Sequence, residues 1–438
     1  MANNKSILLR DLLVTTKDGD WGKDQPIEGH LPFKVIRGAD FPEVRIGDCT
    51  TVPTCYLNEE TVHRRRLEPF DILIETAGGN RDRPTGRTLL VTERVLAQLG
   101  TDTTCASFCR FLRVNRKLAE PRYVYWHLQY LYSQDVMWNH QVQHTGVARF
   151  QYTKFAESTS IPIPNIAAQS RIADILGTLD DKIELNRRTN ETLEAMAKAL
   201  FKSWFVDFDP VHDKAAGRPP AGLDLATAKL FPDSFEDSPL GKIPKGWRAV
   251  PLPQAIEVNP TLSLSKGTVA PYLEMANMPT TSARAVAWED REFGSGMRFQ
   301  NGDTLVARIT PCLENGKTAF VDFLADRQIG WGSTEYIVLR CIAPLPPIYS
   351  YFLARSDAFR THVIQNMTGT SGRQRAPAEC LNSFYIVVPD PILAAEFGDF
   401  ANQGMYKAKL NDNQSAILAN IRDELLPQLL SGKLQPCQ

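Results

Sequence analysis

Half of this chain is written a second time. A shift of 225 residues without a gap lays Ile161 on Ile386, Pro164 on Pro389, Asp174 on Asp399, Lys182 on Lys407, Leu185-Asn186 on Leu410-Asn411 and Leu200 on Leu425. Upstream, Phe70-Asp71-Ile72-Leu73-Ile74 runs through a Gly- and Arg-rich loop to Gly86-Arg87-Thr88 and Leu89-Leu90-Val91. Its counterpart, Gly302-Asp303-Thr304-Leu305-Val306, runs through a shorter loop to Gly316-Lys317-Thr318 and Ala319-Phe320-Val321. Both have the form strand, basic turn, strand. Self-similarity at a long period sets the architecture before any local motif does. Sparse identities in constant register predict one fold used twice, with divergent surfaces. The 438 residues suit two such copies at roughly 100 to 200 residues per domain.

Each half has the same internal order. About 160 residues of mixed character come first, with short β-branched or aromatic runs broken by Gly, Pro and Asn, the pattern of a twisted sheet with long loops. Helices are predicted there over 123–135 and 349–361. A proline-flanked stop, Ile161-Pro162-Ile163-Pro164 or Val387-Val388-Pro389, then precedes one long helical segment. The first segment places apolar residues at Ile172, Ile175, Leu179, Ile183, Leu193 and Leu200, and the second at Leu418, Ile421, Leu425 and Leu429, in steps near three and four. About 40 residues at 1.5 Å each make rods of roughly 60 Å. So narrow a stripe needs a partner, and each half supplies one for the other. Asn186 and Asn411 interrupt the stripe at the same repeat position, where they either face solvent or fix register as buried amides. The boundaries that follow are a mixed domain over 1–164, a helix over 165–207, a Pro-, Gly- and Asp-rich linker over 208–243, a second mixed domain over 244–389 and a second helix over 390–433. The fold class is α+β: two mixed α/β domains separated by two long helices packed as an antiparallel coiled coil, with a pseudo-twofold repeat.

No catalytic constellation is complete. Gly316-Lys317-Thr318 has the end of a phosphate-binding loop, but Pro311 stands where that loop needs a glycine, and its repeat partner Gly86-Arg87-Thr88 sits in a strand-turn-strand. Gly294-Ser295-Gly296 lacks the third glycine of a dinucleotide fingerprint. Asn259-Pro260-Thr261 only approaches the motif with which amino-methylating enzymes hold a flipped base. Asp180-Asp181-Lys182 has the spacing of a nuclease carboxylate and lysine, yet it lies on the amphipathic rod, where a solvated face is expected. Neither the Cys49 and Cys55 pair nor the Cys105 and Cys109 pair is spaced like zinc ligands, so reduced thiols and no metal are expected. The start, MANNKSILLRDLL, has no signal-peptide core, and no run of 18 apolar residues occurs, which predicts a soluble cytoplasmic protein.

A net charge of −1 argues against a general polyanion binder, but the distribution is uneven. Between Thr61 and Lys117 eleven basic residues face six acidic ones, a local charge of +5. Contact with a phosphate backbone depends on such local charge rather than on the total. Arg, Gln and Asn are the side chains that read base edges in the major groove. Thr145-Gly146-Val147-Ala148-Arg149-Phe150-Gln151 and Thr370-Ser371-Gly372-Arg373-Gln374-Arg375 combine them at matched repeat positions. The candidate DNA contacts are Arg81, Arg83, Arg87, Arg149, Gln151, Arg308, Lys317, Arg373, Gln374 and Arg375.

The run Gly302-Asp303-Thr304-Leu305-Val306-Ala307-Arg308-Ile309-Thr310-Pro311-Cys312-Leu313-Glu314-Asn315-Gly316-Lys317 resembles the specificity subunit of type I restriction-modification systems. So do Ser333-Thr334-Glu335-Tyr336, Gly372-Arg373-Gln374-Arg375, Leu240-Gly241-Lys242-Ile243-Pro244-Lys245-Gly246-Trp247, and the helix 172–205 followed by Val206-Asp207-Phe208-Asp209-Pro210. The resemblance covers nearly the whole chain and is looser over the first mixed domain. It implies two target-recognition domains, each reading half of an asymmetric bipartite DNA site, with the helices setting the unread gap. Two readers on one face of a duplex stand about a helical turn apart, roughly 34 Å or a multiple, a distance that a stiff rod can hold. The resemblance also implies partners: two modification subunits that carry S-adenosylmethionine and methylate adenine, and two restriction subunits that use ATP and Mg2+. This chain would then have no catalysis and no cofactor of its own. Two other readings compete with it: a coiled-coil assembly scaffold without sequence-specific DNA binding, and a metal-dependent nuclease acting alone.

Overall fold

The structure is a computed structural model that describes residues 5–80, 82–144, 147–370 and 372–434. The chain forms two compact units, one of residues 1–185 with 415–438 and the other of residues 186–414.

In the first unit a four-stranded antiparallel sheet has the order Leu13–Asp18, Cys109–Val114, Ile72–Glu75, Thr88–Leu90. Strand Ile72–Glu75 is buried along its whole length. Side chains alternate across a strand, so Ile72 and Ile74 enter one core with Tyr123, Trp126 and Ile172, while Leu73 enters another with Phe41, Leu89 and Phe111. A sheet covered on both faces needs a continuous apolar strand, and this is why Ile72-Leu73-Ile74 shows no polar alternation. A second sheet sets Thr54–Asn58 antiparallel and Thr103–Cys105 parallel to His30–Ile36. Lys5–Leu8 pairs with Ser160–Ile163 just before the long helix.

The second unit repeats the core of this topology. Its four-stranded sheet has the order Ile256–Val258, Tyr336–Cys341, Thr304–Ala307, Thr318–Phe320, again antiparallel throughout. Val306 and Ile337 enter the core that holds Phe201 and Phe397, and Leu305 and Val338 enter the core on the other face. The second sheet is again built on a parallel pair, Val269–Leu273 with Gly330–Gly332. Arg248–Pro251 pairs with Tyr385–Val388 ahead of the second long helix.

The long helices are Ile166–Phe205 and Pro391–Leu430, 40 residues each. In the first unit Ile172, Ala173 and Leu176 share a core with Leu426, Leu429 and Leu430. In the second, Ala197, Phe201 and Phe205 share one with Leu393, Phe397 and Met405. One helix advances as the other recedes, so the pair is antiparallel. Asn186 and Asn411 are buried: Nδ2 of Asn186 donates to the Asn411 carbonyl (3.3 Å) and to Oε1 of Gln414 (3.0 Å), and Nδ2 of Asn411 donates to Oδ1 of Asn190 (2.8 Å). Of their two alternatives, the solvent-facing one is thus excluded.

Several expectations change. Ile175 and Ile421 are exposed, at 36% and 40%, and do not seal the helix pair. Leu179, Ile183, Leu193, Leu200, Leu418 and Leu425 are half-buried, whereas Ile172 and Leu429 are buried. The helix must cover its sheet domain as well as its partner, which widens and turns the buried face beyond a coiled-coil seam. The helix expected over 349–361 is broken into Tyr349–Ala354 and Asp357–Gln365, because Ser356 caps a new start by accepting from the Phe359 N–H at 3.3 Å. The segment expected as a linker folds as helices Asp209–Ala215 and Leu225–Leu230 and a hairpin of Phe235–Ser238 with Gly241–Pro244. It buries Val211, Phe231 and Ile243 in the second unit's core, where the Phe231 ring lies 5.1 Å from that of Trp204. Among the described residues no helix is long and apolar enough to cross a membrane.

Candidate nucleic-acid interface

In the first unit, strands Gln141–His144 and Val147–Phe150 form an antiparallel hairpin that places Val142 opposite Arg149. The second strand also pairs with Ala77–Gly79, the segment leaving the central strand of the sheet. Along it Ala148 and Phe150 are buried, and Val147 and Arg149 are exposed. The two-residue period of a strand therefore delivers Arg149 to solvent. Among the described residues it has no carboxylate partner.

The second unit builds the same feature. The backbones of Thr368 and Arg375 exchange hydrogen bonds of 2.8 and 2.9 Å, matching Val142 and Arg149. The Ala376 N–H donates to the Arg308 carbonyl (2.8 Å), as the Phe150 N–H donates to that of Thr76 (2.9 Å). Thr76 and Arg308 each follow the central strand by one step, so Arg149 and Arg375 occupy the same backbone position. The uniform 225-residue shift sets Arg149 on Gln374 instead. The hairpins are offset by 226.

The remaining candidates fall into two groups. Arg87 donates through Nε and Nη2 to the carboxylate of Glu75 (3.0 and 2.9 Å) and through Nη2 to the Gly38 carbonyl (2.6 Å). Arg83 joins the same carboxylate at 3.0 Å and the Gly78 carbonyl at 2.6 Å. Glu75 is buried, so this cluster neutralises a charge inside the fold. Lys317, the repeat counterpart of Arg87, donates to the Met275 carbonyl (2.5 Å), in the 3-10 turn that follows Val269–Leu273 just as the turn at Gly38 follows His30–Ile36. Arg87 and Lys317 are thus tethers from the basic turn to the neighbouring sheet, where the sequence suggested DNA contacts. Arg373 and Gln151 are exposed, Gln374 is half-buried, and Arg81 lies outside the described residues.

The local charge of +5 is also largely matched. Arg64, Arg65, Arg66, Arg83, Arg87, Arg94, Arg110 and Arg113 each have a carboxylate within 4.0 Å. Several of those acids, including Asp18, Asp20 and Glu184, come from outside the window, so a count within it overstated the free charge. Asp180 likewise pairs with Arg45 (2.9 Å) and Arg422, which makes it a packing charge of the first unit and not a nuclease ligand. Among the described residues no group of three or more His, Cys, Asp or Glu side chains is placed to share a metal ion.

What stays open to solvent is a groove lined by Asp18, Phe108, Arg110, Arg149, Gln151 and Lys154. Arg110 is held by Asp18 (2.8 and 2.7 Å) and lies 4.6 Å from the Tyr152 ring. Lys154 and the exposed pair of Phe108 and Trp21, edge-on at 5.8 Å, were not singled out from the sequence. Each lies outside any repeated motif.

The profile of a family described as "Type I restriction modification DNA specificity domain" matches residues 52–195. The HindI specificity subunit of Haemophilus influenzae is 55% identical over 73 residues, which are 17% of this chain and 16% of that protein. The MjaIX specificity subunit of Methanocaldococcus jannaschii is 24% identical over 326 residues, 70% of this chain and 69% of that protein. In sequence, this chain is thus similar to specificity subunits of type I restriction-modification systems. In fold, the likeness extends over the whole chain: the crystal structure of a type I S subunit from M. genitalium matches with a TM-score of 0.56 at 13% identity, covering 100% of this chain and 98% of that one. The segment matched by the specificity-domain profile includes Glu75 with its arginines, the Arg149 hairpin and the first part of the long helix.

Proposed function

We propose that this chain is the DNA-reading subunit of a type I restriction-modification complex, each unit's sheet domain reading one half of a bipartite, asymmetric site. The observation that carries this reading is the recurrence of one solvent-facing arginine, Arg149 and Arg375, at the same backbone position of two copies of one fold. Arginine is the side chain best suited to a guanine edge or a phosphate. Chemistry then belongs to partner subunits: two modification subunits that methylate adenine with S-adenosylmethionine, and two restriction subunits that use ATP and Mg2+. The chain itself is non-catalytic and holds no cofactor. Its partners are duplex DNA and these subunits, in the cytoplasm.

The test is DNA affinity of the complex with its modification subunit. Arg149→Ala and Arg375→Ala are each expected to weaken binding to the cognate duplex by about 1 to 3 kcal/mol. Unchanged affinity in both variants, with assembly intact, would leave the scaffold reading in its place.

A further inference from the structure

The two readers differ at one position that faces the hairpin arginine. Cys109–Val114 and Tyr336–Cys341 are equivalent strands, since Cys109 pairs with Glu75 and Tyr336 with Ala307 at the end of each central strand. The residues just ahead of them, Phe108 and Glu335, are therefore equivalent. Their carbonyls accept from the equivalent N–H groups of Thr76 (2.8 Å) and Arg308 (3.0 Å). The side chains could hardly differ more. Glu335, 19% exposed, accepts from Nε of Arg375 (2.7 Å) and from Nε of Arg308 (3.3 Å). Phe108, 51% exposed, lines the same groove as Arg149 and carries Trp21 on its edge.

We propose that this position selects what each reader recognises: Glu335 fixes the guanidinium groups of Arg375 and Arg308, and Phe108 gives the first reader an apolar edge beside an untethered Arg149. The inference rests on the DNA-reading function proposed above. In the second unit both arginines spend Nε on one carboxylate. Their terminal nitrogens remain for an outside acceptor, apart from a 3.5 Å contact of Arg375 Nη1 with the Arg373 carbonyl. A held guanidinium has little rotamer freedom left to lose on binding, and its planar fork matches a base edge with two acceptors, as guanine has in the major groove. In the first unit no carboxylate among the described residues aims Arg149, which suits a phosphate. Phe108 and Trp21 suit the methyl group of thymine. Glu335 is thus a positioning residue, and Phe108 a contact residue.

The experiment uses the complex reconstituted with its modification subunit, and a set of duplexes in which each base pair of both half-sites is replaced in turn. Glu335→Gln keeps the size of the side chain but removes its charge. It is expected to lower the preference for the cognate base about tenfold at a position in one half-site only. Phe108→Glu, at a position too exposed to disturb the core, is expected to alter preference in the other half-site. Both results together support the inference. A uniform fall on all duplexes, with preferences unchanged in both variants, overturns it. If Arg375→Ala still alters preference in that case, this inference is lost and the DNA-reading function stands. If Arg375→Ala leaves preferences unchanged too, the reading of DNA by this hairpin falls with it.

Discussion

At the scale of single residues, the repeat keeps one internal ion pair in both units. Asp71 and Asp303 are buried at the start of the two central strands. Asp71 accepts from Nε and Nη2 of Arg113 (2.9 and 2.8 Å) and from the Glu68 N–H (2.8 Å), while Asp303 accepts from Nε and Nη2 of Arg340 (2.7 and 2.8 Å) and from the Gln300 N–H (2.8 Å). Losing one partner strands the other's charge and the backbone donor. Asp303→Ala is expected to cost about 3 kcal/mol in urea unfolding, and a loss below about 1 kcal/mol would contradict this role. The sequence displayed both aspartates in its repeated strands, but nothing in it tied them to arginines some 40 residues away. A second residue-scale effect is pH-dependent. Burial lowers the His127 ring to about 4 from its ordinary 6.5. The unfolded chain takes up this proton at higher pH than the folded one, so the stability is present above 6.5 and is lost as pH falls toward 4. Between pH 7 and pH 4.5 the loss from this group amounts to about 2 to 3 kcal/mol. His127→Phe should flatten that part of the curve, and an unchanged curve would show that other groups carry it.

At the scale of elements, the long helices were the most legible part of the sequence and their faces the least. Both rods, and the matched asparagines that interrupt them, follow from spacing alone. Which residues point inward does not, because the helix packs on a sheet domain and a partner helix together. Ile175 fits a heptad and is exposed, while its neighbour Leu176 is buried. Leu176→Ala or Leu426→Ala is expected to cost about 2 to 5 kcal/mol, against under about 0.5 for Ile175→Ala or Ile421→Ala, measured by denaturant unfolding. Equal costs at the two kinds of position would restore the simple seam. The segment 208–243 reads as a linker for a related reason: Pro and Gly content marks turns, and turns joining short helices to a hairpin give the same composition as a loose tether. The offset of the repeat also depends on the element, 225 in the helices but 226 at the hairpins, so a single shift concealed the equivalence of Arg149 and Arg375.

At the scale of the whole molecule, the net charge of −1 and the local excess of arginine are two views of one arrangement. Most of the arginines between Thr61 and Lys117 neutralise acids of the same unit, so that segment offers few free cations to an outside partner. Contact through few cations is weak on arbitrary DNA and shallow in its salt dependence, and leaves affinity to come from specific contacts. Under the proposed function, two copies of one fold, each presenting an arginine hairpin, would each read one part of the site. The most direct measurement is single-molecule sequencing of adenine methylation in host DNA, with the gene intact, deleted, or carrying Arg149→Ala with Arg375→Ala. The account predicts a bipartite, asymmetric methylated motif that disappears on deletion and is lost or relaxed in the double variant. A motif that survives deletion unchanged, or methylation indifferent to both arginines, would contradict it.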